Sequence, residues 1–267
     1  MLPDLIEQAR TAIGRAQHVL ILTGAGVSQA SGVPTFRGQG GLWREHRAES
    51  LATPEAFAAD PRLVWEWYGW RRSVVARCAP NAAHHAIARL AATRAGVTVV
   101  TQNVDGLHDL AHAQAAAQAG AIAEQVGGSA GDPGEIGAPI TLHGSLYSTR
   151  CTACGARRAD RAPIDASSID TIPRCDCGAM LRPDVVWFGE TLDRTKLEAA
   201  IEAAAQAEVC LVVGTSGVVY PAAGLVEVAA RQGALVIEIN PEESALTAIA
   251  ALHLRGDAAA VVPAVLD

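Results

Sequence analysis

The chain predicts an α/β protein: a doubly wound parallel sheet with helices on both faces, joined to a smaller lobe. Three observations support this. Short apolar runs recur at His18–Thr23, Val97–Thr101, Glu208–Val213 and Ala234–Ile239, and runs this short and this apolar suit strands buried on both faces of a parallel sheet. Helical patterns separate them at Asn81–Thr93, Thr195–Ala207 and Pro221–Gln232, the alternation that builds doubly wound folds. Two segments break this rhythm, residues 38–80, helical and tryptophan-rich, and residues 148–186, which hold two close cysteine pairs. They are assigned to one small lobe, leaving residues 1–37, 81–147 and 187–267 to the large one. With 267 residues, 50% of them hydrophobic, both lobes can bury a core.

The first element, Met1–Gln17, reads as an amphipathic helix with Leu5, Ile6, Ala9, Ala12, Ile13 and Ala16 on its apolar side. It has no basic leading region and no apolar stretch, so no signal peptide is expected. Nowhere does the chain approach the roughly eighteen continuous apolar residues of a membrane span. A formal charge of −7 argues against a nucleic-acid partner, which would favour a basic face. A soluble, cytoplasmic monomer is expected, with no membrane or nucleic-acid partner.

The first strand ends in Gly24-Ala25-Gly26, the third in Gly214-Thr215-Ser216 and the fourth in Asn240-Pro241. The carboxyl ends of strands are where open α/β sheets bind ligands. Glycines let a backbone turn sharply and approach a phosphate. The dinucleotide fingerprint is nevertheless incomplete: Gln29 stands where a third glycine belongs, and Glu45 and Glu49 fall in the helical insertion rather than at a second strand end. Taken alone, the loop is either a nucleotide site or a plain strand-to-helix turn.

Between residues 38 and 80, Asp60-Pro61 reads as a helix cap followed by a first-turn proline. In the helix that follows, Tyr68 and Arg71 share a face. Arg71 also shares the apolar stripe of Val64 and Val75, where a guanidinium needs an acceptor. It could pair with a local acid or reach solvent, as Arg72 is expected to do. Further on, Ala111–Val126 reads as a helix and Gly127–Pro139 as a loop. The run Pro139–Leu142 then delivers His143, which by itself is either structural or a general base.

Cys151-x-x-Cys154, twenty intervening residues and Cys175-x-Cys177 have the spacing of a four-thiolate zinc site. A closed shell of four sulfurs is structural, since it leaves no position for substrate. Two disulfides are the alternative, but nothing else in the chain suggests an oxidising compartment. Cys78 and Cys210 read as buried small hydrophobes.

Gly24-Ala-Gly-Val-Ser28, Gly32-Val-Pro-Thr-Phe-Arg-Gly38, Thr101-Gln-Asn-Val-Asp-Gly-Leu-His108, Leu142-His-Gly-Ser145, the cysteine pairs, Leu181-Arg-Pro-Asp-Val-Val-Trp-Phe-Gly-Glu190, Gly214-Thr-Ser216 and Glu238-Ile-Asn240 occur in this order. The series resembles the sirtuin family of NAD-dependent protein deacylases, from about Ala16 to Asp257. The resemblance implies a Rossmann-like large lobe, a small zinc-binding and helical lobe, and a cleft between them.

It also implies roles. Gly24, Ala25, Gly26 and Arg37 match phosphate and flexible-loop contacts of NAD, and Gln102, Asn103 and Asp105 the nicotinamide and ribose pocket. Gly214, Thr215, Ser216 and Asn240 match the adenosine side, and Asp257 an adenine contact. His143 matches the general base that activates a ribose hydroxyl after the acyl oxygen has displaced nicotinamide; the products are nicotinamide, free lysine and O-acyl-ADP-ribose. Val186, Phe188 and Gly189, with Gly217–Tyr220, match the segments that flank the acyl-lysine protein or peptide. Tyr68-x-x-Arg71, with Ala52, resembles the acyl pocket of the sirtuin class that removes succinyl and malonyl groups. Cys151, Cys154, Cys175 and Cys177 match the structural zinc ligands. A mainly deacetylating enzyme and a mono-ADP-ribosyltransferase use the same cleft and stay open. Cys175-x-Cys177 is one residue tighter than the family's usual pair, and the stretch 111–139 is longer than its usual link.

Overall fold

The structure is a computed structural model that describes residues 2–35, 42–43, 46–125 and 137–267. Helix α1 spans Leu2–Arg15 and leads into strand β1, Val19–Thr23. A 3-10 turn, Ala25–Ser31, follows. Next come the short strands β2 (Leu42–Trp43) and β3 (His46–Arg47) and the helices α2 (Ala48–Leu51), α3 (Pro54–Ala59) and α4 (Pro61–Val75). Helix α5 (Ala82–Thr93), strand β4 (Val97–Thr101), helix α6 (Leu107–Gln125) and strand β5 (Ile140–Thr141) return to the large sheet. Strands β6 (Gly144–Cys151), β7 (Arg157–Ala159) and β8 (Leu181–Val185) carry the cysteine segment. The chain ends with helix α7 (Arg194–Gln206), strand β9 (Val209–Val213), helix α8 (Ala222–Arg231), strand β10 (Leu235–Asn240), strand β11 (Leu252–Arg255) and helix α9 (Ala258–Leu266).

The main sheet has the order β11-β10-β9-β1-β4-β5, all parallel. From β1 the chain builds outward through β4 and β5, then crosses back to build β9, β10 and β11 on the other side. The order therefore reverses between β1 and β9, where an open α/β sheet leaves a crevice at its carboxyl edge. Alternation along β1 divides the core in two. Val19 and Ile21 pack under α1, α5 and α9, while Leu20 and Leu22 pack under α7 and α8.

A separate apolar cluster joins α2–α4 to β6, β8 and Trp187, with Trp65, Trp67 and Tyr68 almost wholly buried. Strands β7-β6-β8 form their own antiparallel sheet. Asp60 caps α4 as expected, accepting hydrogens from Arg62 N and Leu63 N.

Several expectations change. Helix α6 starts at Leu107, four residues before Ala111, because Asp105 accepts the Leu107 N–H and begins the turn. Gly137–Pro139 form no regular element, and the rest of the expected loop, with Val126, lies outside the described residues. Arg72 does not reach solvent: it is buried, with Nε donating to Leu146 O at 2.6 Å, and so ties α4 to β6. Strand β11 and helix α9 were not foreseen; β11 is a four-residue edge strand and α9 contains Pro263, both weak sequence signals.

Candidate functional site

At the switch point the two glycine loops touch each other. Gly24 N donates to Val213 O at 3.0 Å and Gly26 N to Gly214 O at 2.8 Å. A Cβ on Gly26 would stand 2.7 Å from Gly214 Cα, and one on Gly214, whose φ is +60°, would stand 2.4 Å from Val27 N. The glycines are thus required by the approach of one loop to the other. Above them opens a cavity of about 580 Å³, with Gly24, Ala25, Gly26, Gly214, Thr215 and Ser216 along one side.

Asn240, at the end of β10, lines the same side. Its amide donates to Thr215 O at 2.8 Å and to Glu238 Oε1 at 2.9 Å. Gln102 and Asn103 lie in the floor, and Gln102 Nε2 donates to Thr215 Oγ1 at 3.1 Å.

His143 also lines the cavity. Its Nδ1 lies 3.0 Å from the Gln102 carbonyl oxygen. A carbonyl can only accept, so Nδ1 carries the hydrogen and Nε2 the basic lone pair. Gly144, at φ +84°, follows it; a Cβ there would lie 2.0 Å from Asp184 O, so the turn that places the imidazole demands glycine.

Asp105 lies beneath the floor, buried and absent from the cavity lining. It accepts from Ser28 Oγ at 2.8 Å and Leu107 N at 2.9 Å. Burial pushes its carboxyl pKa up, and these hydrogen bonds oppose the rise. Ser28 Oγ in turn accepts from Asn103 Nδ2 at 3.1 Å and contacts His84 Nε2 at 3.3 Å. His84 Nδ1 accepts the Asn81 N–H, which leaves Nε2–H to donate to the serine. His108 donates through Nε2 to Thr23 Oγ1, whose own hydrogen goes to Thr101 Oγ1. Burial first, and His108 nearby second, lower the His84 pKa to about 3; burial lowers that of His108 to about 4. Both imidazoles are neutral supports of the floor.

Ala52, Tyr68 and Arg71 line the same cavity, as do Val186, Phe188 and Gly189. The Arg71 guanidinium carbon is 4.9 Å from the Trp67 ring centroid and 5.3 Å from that of Tyr68. Burial lowers the Arg71 pKa, opposed chiefly by Tyr68 and then by Asp105. Phe188 N donates to Ala52 O at 2.9 Å, joining the Ala52 segment to the Val186–Gly189 segment.

The sequence model of the Sir2 family matches residues 24–131 and 123–221. This chain belongs to the Sir2 family. It is 44% identical to the "NAD-dependent protein deacylase 2" of Pyrobaculum aerophilum over 256 residues, 96% of this chain and 92% of that protein. Among solved structures it is similar to a Sir2 homologue–NAD complex, with TM-score 0.83 and 40% identity over 97% of this chain and 92% of that one. It is also similar to a Sir2 protein with a deacetylated p53 peptide and 3'-O-acetyl ADP-ribose, with TM-score 0.80 and 27% identity over 97% of this chain and 96% of that one.

The sirtuin's four cysteines converge as their spacing requires. Their sulfurs all lie within 4.8 Å of one another, with Cys151–Cys177 at 3.5 Å and Cys154–Cys175 at 3.7 Å. Sulfurs bound tetrahedrally to zinc at about 2.3 Å would be roughly 3.8 Å apart, so the set fits that ion. The tight Cys175-x-Cys177 loop closes through Gly178 N donating to Cys175 O and Cys175 N to Ala179 O, both at 2.8 Å. All six cysteines are free of disulfides.

Asp257 does not line the sirtuin cavity; it caps α9, accepting from Ala259 N at 2.7 Å. Arg37 lies outside the described residues. The supporting residues Ser28, His84, Glu238 and Glu190, the last accepting the Trp187 N–H at 2.9 Å, were not assigned roles from sequence. Three of them sit inside motifs quoted above, but only packing reveals what they hold.

Proposed function

We propose that this sirtuin removes acid-tipped acyl groups, succinyl and malonyl, from lysine side chains of proteins at the expense of NAD. The observation that carries this is the pairing of Tyr68 and Arg71 in the wall of the cavity that His143 also lines, beside the small Ala52. A guanidinium in a place where burial penalises its charge gains most from a carboxylate, which it can grip through two parallel hydrogen bonds.

The chain's own groups then divide the work. Gly24, Ala25 and Gly26 offer backbone to the NAD phosphates, with Arg37 as a further partner. Gly214, Thr215, Ser216 and Asn240 take the adenosine half, and Gln102 and Asn103 the nicotinamide and ribose, with Asp105 acting through Ser28 from below. Asp257 serves that end indirectly by anchoring α9. His143, with Nδ1 held by Gln102 O, presents Nε2 as the base for a ribose hydroxyl. Val186, Phe188 and Gly189 receive the peptide backbone as an added strand, giving affinity with little sequence preference. The four thiolates hold zinc and stiffen the small lobe, 38–80 and 148–186, against the large one.

The test compares nicotinamide release from matched acetyl-, malonyl-, succinyl- and glutaryl-lysine peptides, for wild type and Arg71→Met. Loss of one charged contact should cost about 2–5 kcal/mol of transition-state binding on the acid-tipped peptides, with acetyl turnover far less affected. Full succinyl activity in Arg71→Met refutes the assignment.

A further inference from the structure

Trp187 lies in the wall of the cavity, and its indole Nε1 is 2.9 Å from the Tyr68 hydroxyl oxygen. An indole nitrogen can only donate, so Tyr68 is the acceptor in this bond. Arg71, whose guanidinium packs against the phenol ring and hydrogen-bonds the phenol, is also donor-only. A phenol between two donors has its oxygen engaged by them and its own hydrogen left to give.

We propose that Trp187 is a specificity-determining positioning residue: by occupying the Tyr68 oxygen it makes that hydroxyl an obligate donor toward the acyl tip. The proposal rests on the acid-acyl reading and adds a chemical rule to it. A carboxylate is acceptor-only and satisfies Tyr68 and Arg71 together. A carboxamide of the same shape must present its NH₂ to one of two donors, and a methyl tip accepts from neither.

Trp187 is held firmly enough for such a rule. Its backbone N–H donates to Glu190 Oε2 at 2.9 Å. The Arg182 guanidinium carbon lies 3.3 Å from the indole centroid, while its nitrogens grip both Glu190 oxygens at 2.5 and 2.9 Å. Arg150 adds a fourth contact to Glu190 at 3.1 Å. Arg150 and Arg182 belong to β6 and β8, next to Cys151 and Leu181. The polarity of the Tyr68 hydroxyl is thus fixed from the cysteine-bearing sheet.

The experiment measures kcat/KM on three peptides, succinyl-lysine, its terminal carboxamide and acetyl-lysine, for wild type, Trp187→Phe, Tyr68→Phe and the double variant. A fifth protein carries benzothienylalanine at position 187, which keeps the indole shape and removes only the N–H, so the question is answered even if phenylalanine packs poorly. Wild type should favour acid over carboxamide. Removing the N–H should lower that ratio at least fivefold, a larger change than any in acetyl turnover. In the Tyr68→Phe background the same change should leave the ratio unaltered. An unchanged acid-to-carboxamide ratio in the benzothienylalanine protein, with wild type still preferring succinyl over acetyl, overturns the proposal alone. A wild type with no preference for succinyl overturns the acid-acyl reading and this proposal with it.

Discussion

Glu238 and Asn240 stand side by side on one face of β10, and the Asn240 amide donates to the Glu238 carboxylate at 2.9 Å. Glu238 is fully buried. Ser244 donates to the same oxygen and Thr247 to the other at 2.5 Å. With its second amide hydrogen on Thr215 O, Asn240 has committed both donors, and Oδ1 remains for the cavity. Glu238→Ala strands three donors, each costing about 1–3 kcal/mol if it finds no other acceptor. The expected outcome is a lower unfolding midpoint and an NAD KM raised about tenfold or more, with the peptide KM unchanged. A normal NAD KM would show that Asn240 needs no such support.

Gly214→Ala tests the contact between the two glycine loops. The alanine would have to hold φ near +60° and place its Cβ 2.4 Å from Val27 N. The left-handed backbone alone costs about 1–2 kcal/mol, and the clash adds to it. Denaturant titration should show a loss above about 2 kcal/mol; a stable variant with wild-type NAD affinity would contradict the packing argument.

His143→Ala should separate two steps of the proposed reaction. Loss of a positioned base typically removes about 10²–10⁴-fold of rate, and deacylation should fall by that order. Exchange of labelled nicotinamide into NAD should persist, because the base acts only after nicotinamide has left. Equal loss of both activities would place His143 earlier in the chemistry.

Acid should weaken the floor of the site. His84 and His108 have folded pKa values of about 3 and 4, below the roughly 6.5 of an unfolded histidine. Between those limits the unfolded chain binds more protons, so stability is complete above pH 6.5 and falls as pH drops. The slope is about 1.4 kcal/mol per pH unit for each imidazole. Unfolding free energies measured from pH 7 to 5 should show it, and His84→Asn should flatten it. An unaltered slope in that variant would assign the acid sensitivity elsewhere.

Metal analysis should find a single zinc ion per chain. Cys175→Ala should lose it and lower the thermal midpoint, since binding free energy in such sites is folding free energy. Retained zinc at full occupancy would remove Cys175 from the ligand set.

Much of this was legible along the chain. Short apolar runs marked β1, β4, β9 and β10 because strands covered on both faces have no polar side. Edge strand β11 escaped because only Leu254 of its four residues is buried. Arg72 was misread because a sequence shows a charged side chain but not the Leu146 carbonyl waiting for it. Asp257 matched a motif by position, yet its carboxylate serves a helix end.

The sequence by itself determined the strand-and-helix alternation, the thiolate set and the glycine turns, since local periodicity and residue chemistry carry those directly. Tertiary structure alone decided how those groups are aimed. Trp187 and Tyr68 stand 119 residues apart in sequence, and Ser28 and Asp105 stand 77 apart. A hydrogen bond's direction depends on which donor and acceptor meet in space, and only the pairing of β1 with β4 and the packing of α4 against β8 bring these together.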